Sequence, residues 1–186
     1  MRKMFEGDYT IYGKHATYIK YLVNDAKAFK RYIDVYMTGA MLGILYDKRS
    51  IASDSTDRAR IYSDAFNTEN IKCNELFKLV ILNDTSMKWS EEERINICFR
   101  YRDKMDENAI PPIQPEEITA MKDALNLFNS YVFGGIELLY ECFSNSATLG
   151  VDETVDYAYK TIFDQRNLIE SRQGTTDVEQ LFRPEY

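Results

Sequence analysis

His15 is the only histidine in the chain, and an imidazole can act as a general base near neutral pH once a proton-bearing group comes within reach. Asp8, Tyr12 and Tyr18 are the neighbours that would have to converge on it. Without them it reads as a surface or helix-start histidine. Just upstream, Gly7-Asp8-Tyr9-Thr10-Ile11-Tyr12-Gly13-Lys14-His15 approaches a phosphate-binding loop. Such a loop needs four residues between its glycines and a hydroxyl residue after the lysine, so that amides wrap phosphate and the hydroxyl reaches magnesium. Here five residues intervene and His15 takes the hydroxyl's place.

Glu137 and Glu141 are four residues apart and share a helical face just past an apolar run. Such a pair could hold a divalent cation or perturb each other's pKa, but no His-Glu-x-x-His or paired-cysteine spacing supplies further ligands. The remaining acidic clusters, Glu91-Glu92-Glu93, Glu116-Glu117 and Asp152 with Asp156, suit helix starts and solvated faces. Cys73, Cys98 and Cys142 are odd in number and far apart, as expected of buried thiols in a reducing compartment. No catalytic, cofactor-binding or metal-ligating residue is assigned, and no cofactor is expected.

A different chemistry is suggested by tyrosine. The chain has 14, and Tyr9, Tyr12, Tyr18, Tyr21, Tyr32, Tyr36 and Tyr46 crowd its first quarter. From Tyr18 to Arg31 tyrosines alternate with cations, and a continuous helix would bring Lys20, Lys27 and Arg31 onto one face. Rings that stack on bases and cations that hold phosphate would suit nucleic acid, while a rigid ring ending in a hydroxyl equally suits a protein partner.

Charge is unevenly spread. Residues 1–31 carry seven bases against three acids, a net of +4, and residues 137–186 carry four against ten, a net of −6, within an overall −7. Opposite ends can attract one another across molecules or cancel within one. The candidate partner or nucleic-acid surface is therefore Lys14, His15, Tyr18, Lys20, Tyr21, Lys27, Lys30 and Arg31, joined by Leu181 and Phe182 near the end.

The elements that must position these residues are helical. With 186 residues, 45% hydrophobic and 28% charged, the composition is that of a globular protein able to bury a core. Apolar residues recur at three- and four-residue spacing. Residues 1–15 read as an N-terminal arm, β-prone from Asp8 to Lys14. Residues 16–110 read as a helical group. A first stretch carries Tyr18, Ile19, Leu22 and Val23 and bends near Asn24-Asp25; a second spans 26–46. After a polar connection a third, capped by Ser55 or Thr56, includes Ile61, Ala65, Ile71, Leu76, Leu79 and Val80, with a break at Asn67-Thr68. Ser90-Glu91-Glu92-Glu93 is a capping box, preceded by Trp89 with Arg94 or Ile95 as its packing partner.

Pro111, Pro112 and Pro115 make a linker at 111–115, because proline cannot donate the amide an interior turn requires. A helical pair over 116–173 follows, then a docking tail at 174–186 opened by the capping box Thr176-Asp177-Val178-Glu179. Two stretches, 35–46 and 124–136, lack formal charge and carry Gly39 with Gly43 and Gly134 with Gly135. Each interior glycine costs a helix about 1 kcal/mol relative to alanine. Close approach of two backbones would repay that, so these helices are expected to cross at the centre of the fold.

The expectation is an all-α single domain, 1–186, of about six helices with a short extended arm. It has no secretion signal or membrane span and is expected in the cytoplasm. Its leading functional reading is a non-catalytic subunit acting through contact with a protein partner or a second copy of itself. A nucleic-acid-associated accessory protein, such as one of a bacterial DNA-processing or defence system, comes second. An enzyme with an unfamiliar helical site around His15 or Glu137 and Glu141 comes third.

Overall fold

The computed structural model describes residues 4–52, 56–101, 112–144, 156, 159 and 160. In chain order these contain β1 (Tyr9–Tyr12), α1 (Lys14–Lys20), α2 (Tyr32–Leu45), β2 (Arg58–Ile61), α3 (Ser63–Thr68), α4 (Asn70–Asn83), α5 (Glu91–Ile95) and α6 (Pro115–Ser144). Wider π-helical turns extend α1 over Tyr21–Asp25 and α5 over Asn96–Arg100. The protein is all-α with one small two-stranded sheet. Contacts divide the chain into two compact units, Met1–Tyr140 and Glu141–Tyr186. The helix expected beyond residue 152, the second capping box, Pro111, Leu181 and Phe182 lie outside the described residues.

Within the arm Tyr9–Tyr12 is a paired strand, and Lys14 and His15 already belong to α1. β1 runs antiparallel to β2, with Tyr9 opposite Ile61 and Tyr12 opposite Arg58. This corrects the expectation that residues after Thr56 begin a helix: Arg58-Ala59-Arg60-Ile61 alternates exposed and buried side chains with the period of a strand. Ile11, Ala59 and Ile61 turn inward. At Gly13 the chain swings from strand to helix with φ 66, a conformation that favours glycine. Its amide donates to the Asp57 carbonyl at 2.9 Å, and its own carbonyl starts α1 by accepting from Ala16 and Thr17.

The bend expected near Asn24-Asp25 becomes a full break. Helical structure ends at Asp25, Lys27 takes φ 52, and α2 restarts at Tyr32, not at residue 26. There Asp34 accepts from the Arg31 amide at 3.1 Å and satisfies an otherwise orphaned donor. The break before α4 falls at Glu69, next to Asn67-Thr68. Ser90 caps α5 as its motif requires, accepting from the Glu93 amide at 3.2 Å while Glu93 accepts from the Ser90 amide at 2.7 Å. The Arg94 guanidinium lies 5.9 Å over the Trp89 ring and donates to the carbonyls of Ile81 and Met87, tying α5 to the end of α4. Pro115 is the first residue of α6, where its missing amide costs nothing.

α2 and α6 cross through their glycines. A Cβ added at Gly135 would overlap the backbone carbonyl of Gly39, and one at Gly43 would overlap that of Tyr131. At Gly39 it would lie 2.8 Å from the Val132 oxygen. Around the crossing the core is aromatic: Tyr36 and Phe77 meet Phe128 edge-on at 5.9 and 5.8 Å between centroids, and Phe5 stacks on Phe66 at 5.7 Å. Beneath α4, buried Asp84 accepts from the Tyr131 hydroxyl at 2.6 Å and from the amides of Ser86 and Met87. Burial pushes this carboxyl up, but Tyr131 and the two amides outweigh it and hold Asp84 below the usual aspartate value.

Candidate functional site

The glycine that admits a loop also helps to build a polar cluster around Glu137. After α2 the chain turns at Asp47, with φ 47, and its Lys48 carbonyl and Arg49 nitrogen occupy the space a Cβ at Gly134 would need. The Ser50 amide then donates to the Ser130 carbonyl at 2.9 Å, laying the loop along α6. Two turns further along α6, Glu137 receives the Ser50 hydroxyl at 2.5 Å. From α1, the Lys14 ammonium reaches the same Oε1 at 2.7 Å and the His15 Nε2 reaches it at 3.0 Å.

His15 therefore sits at a helix start but not at the surface. Its side chain is fully buried, with the ring stacked on Phe133 at 4.6 Å. α1 is amphipathic, and position 15 falls on the inward side with Ala16 and Ile19. Among the described residues, His15 Nδ1 is the buried side-chain polar atom left without a hydrogen bond. Burial pulls the His15 pKa below its ordinary value, against the opposing pull of Glu137. Burial also pushes the Glu137 carboxyl up, but hydrogen bonds from Lys14, Ser50 and His15 outweigh it and hold the group ionised. Chemically this is a neutral imidazole oriented by a carboxylate that is itself neutralised by lysine, with its free nitrogen closed to solvent.

The other residues singled out by type are brought together only in part. Tyr18 stacks flat on Tyr140 at 3.8 Å and Tyr21 meets Tyr140 edge-on at 5.3 Å, so both sit beside the Glu137 cluster. Asp8 does not join His15; it pairs with Arg60 at 2.5 Å and accepts from the Ser63 amide. Lys20, Lys27 and Arg31 do not share a helical face, because the helix ends before Lys27. Lys20 is paired with Asp57, which also accepts from Thr17 at 2.8 Å. Arg31 bridges Asp34 at 2.6 Å and Glu69 at 2.8 Å. Lys27 and Lys30 are exposed. Glu141 belongs to the second unit, and among the described residues no three His, Cys, Asp or Glu side chains gather as metal ligands.

One face of α4 lies in water where its spacing predicts core. Ile71 and Leu79 read as core positions, yet α4 buries Cys73, Phe77, Val80 and Ile81 instead. Ile71, Leu79 and Leu82 face outward, Ile71 at 67% exposure. Packed against α4, α5 exposes Ile95 and its extension exposes Phe99, the latter at 58% with Lys78 lying 5.2 Å over its ring. The signal was present in the run Leu76-Phe77-Lys78-Leu79-Val80-Ile81-Leu82, which is apolar nearly all round. A helix of that kind has two faces to cover.

No helix among the described residues is long and apolar enough to cross a membrane. The chain matches no known protein family, no curated protein and no solved structure.

Proposed function

We propose that the protein is a non-catalytic helical subunit that works by contact with a protein partner in a larger assembly, and that the outward face of α4 with the α5 extension carries the contact. The supporting observation is the exposure of Ile71, Leu79, Leu82, Ile95 and Phe99 on α4, α5 and the α5 extension, which pack together. Large apolar side chains left in water are costly, and several of them on neighbouring elements suit an interaction site. Rival readings have less support. Lys14, Lys20 and Arg31 direct their charge at carboxylates of the same chain, which reduces what is left for phosphate. His15 meets a carboxylate but has no open path to a substrate.

The test is a Leu79→Glu, Phe99→Glu double variant expressed in the source cells beside the wild type. Native mass spectrometry and cross-linking should place the wild type in a complex, with cross-links from Lys72, Lys78 or Lys88. The variant should run as a free monomer with an unchanged urea midpoint. A wild type recovered as a monomer, or a variant retained in the complex, sinks the proposal.

A further inference from the structure

On a different part of the first unit, between the N-terminal segment, α2, α3 and α6, lies a cleft of about 150 Å³. Phe5, Tyr36 and Phe66 form its buried floor, and Tyr9, Leu125 and Asn129 its walls. The rings are already engaged with one another, Tyr9 edge-on to Tyr36 at 5.7 Å and Tyr36 edge-on to Phe66 at 5.6 Å. They present a fixed aromatic surface, not a space that side chains can collapse to fill. A volume near 150 Å³ with apolar walls is enough for one six-membered ring.

The polar groups narrow the guest further. Asn129 Oδ1 accepts from the Tyr36 hydroxyl at 2.8 Å, which orients the amide and leaves its NH₂ to donate. The Tyr9 hydroxyl makes no hydrogen bond among the described residues, and burial raises its pKa to about 12, so it stays protonated at neutral pH. Asp8, at the rim, is the lining carboxylate, but Arg60 and the Ser63 amide occupy both its oxygens. It has little attraction left for a cation. We infer that this cleft binds a single neutral aromatic ring carrying a hydrogen-bonding oxygen, with Asn129 and Tyr9 reading the oxygen and the aromatic floor reading the ring.

Gly7 supplies a clean way to close the cleft. It is an exposed lining residue, and a Cβ built there meets no atom within 4 Å, so the first carbon of a side chain can be added without a clash. The experiment is an amide NMR titration of the full chain with p-cresol, toluene, cyclohexylmethanol and N-acetyl-tyrosinamide. Saturable shifts from p-cresol are expected at Gly7, Tyr9 and Asn129, with affinity about fivefold above toluene, the worth of one net hydrogen bond. Cyclohexylmethanol should bind more weakly than p-cresol. Gly7→Leu should abolish the shifts at an unchanged urea midpoint, and Tyr9→Phe should bring p-cresol down towards toluene. If N-acetyl-tyrosinamide binds as well as p-cresol, the ring comes from a partner's tyrosine; if only p-cresol binds, it comes from a free aromatic compound. Absence of saturable shifts from every probe, shifts that survive Gly7→Leu, or equal affinity for the cyclohexyl compound overturns the inference.

Discussion

At Gly135 a single methyl group would have to share space with the Gly39 carbonyl, and backbone cannot step aside as the tip of a flexible side chain can. Gly135→Ala and Gly43→Ala should therefore each lose about 3 kcal/mol of stability in urea denaturation, even after the roughly 1 kcal/mol that alanine returns through helix propensity. Gly39→Ala, which meets the Val132 oxygen at 2.8 Å and the Ile136 Cγ1 at 3.1 Å, should lose less. Gly7→Ala should change almost nothing. A Gly135→Ala protein as stable as the wild type would refute the close crossing. His15 makes the second prediction at this scale. Its folded pKa lies below the ordinary 6.5 because burial disfavours the imidazolium, so below that pH the unfolded chain binds more protons than the folded one. The stability it contributes is present above pH 6.5 and is lost as pH falls through the folded value. The urea midpoint should decline from pH 7 towards pH 5, and His15→Gln, which can still donate to Glu137, should flatten that decline. A parallel decline in the variant would assign it to other groups.

Among the elements, α5 depends most on local chemistry. It is short, buries none of its own five residues, and is held by the Ser90 box and by Arg94. Ser90→Ala should cost about 1 kcal/mol, seen as a lower urea midpoint and faster hydrogen exchange at the Glu93 and Arg94 amides. Unchanged exchange at Glu93 would mean that the cap does not hold the helix start. This element was legible because a capping box is complete within four residues. β2 was not legible. Arg58-Ala59-Arg60-Ile61 has a strand's alternation over only four positions, and Ile61 also falls in register with the apolar positions that follow. What makes it a strand is β1, a partner supplied by another part of the chain. The helix ending at Asp25 was half legible: Asn24-Asp25 marked a disturbance, but not that Lys27 would leave helical space altogether.

For the whole molecule the decisive quantity is which apolar surface remains once the core is closed. The glycine crossing of α2 and α6, the aromatic cluster on Phe128 and the sheet bury one side of α4 and leave Ile71, Leu79 and Leu82 outside. Glutamates at Leu79 and Phe99 should then leave stability untouched while removing association, because they replace side chains that already face water. A large drop in urea midpoint on Leu79→Glu alone would show that this face is covered within the chain. The charge asymmetry has a related fate: Lys14, from the basic end, pairs with Glu137, from the acidic one. Part of the opposition between the ends is thereby satisfied internally.

From residue order alone came the all-α class, the capped start at Ser90, the breaks near Asn24-Asp25 and Asn67-Thr68 and before the helix at Pro115, and the crossing of segments 35–46 and 124–136 at Gly39, Gly43 and Gly135. Each follows from local rules of helix periodicity, capping and side-chain size, readable within a few turns. Tertiary structure alone decided that Arg58–Ile61 is a strand, that His15 is buried on a carboxylate 122 residues away, and that Ile71 and Leu79 face outward. Those outcomes depend on which distant segment arrives as neighbour, and neither spacing nor residue type encodes that arrival locally.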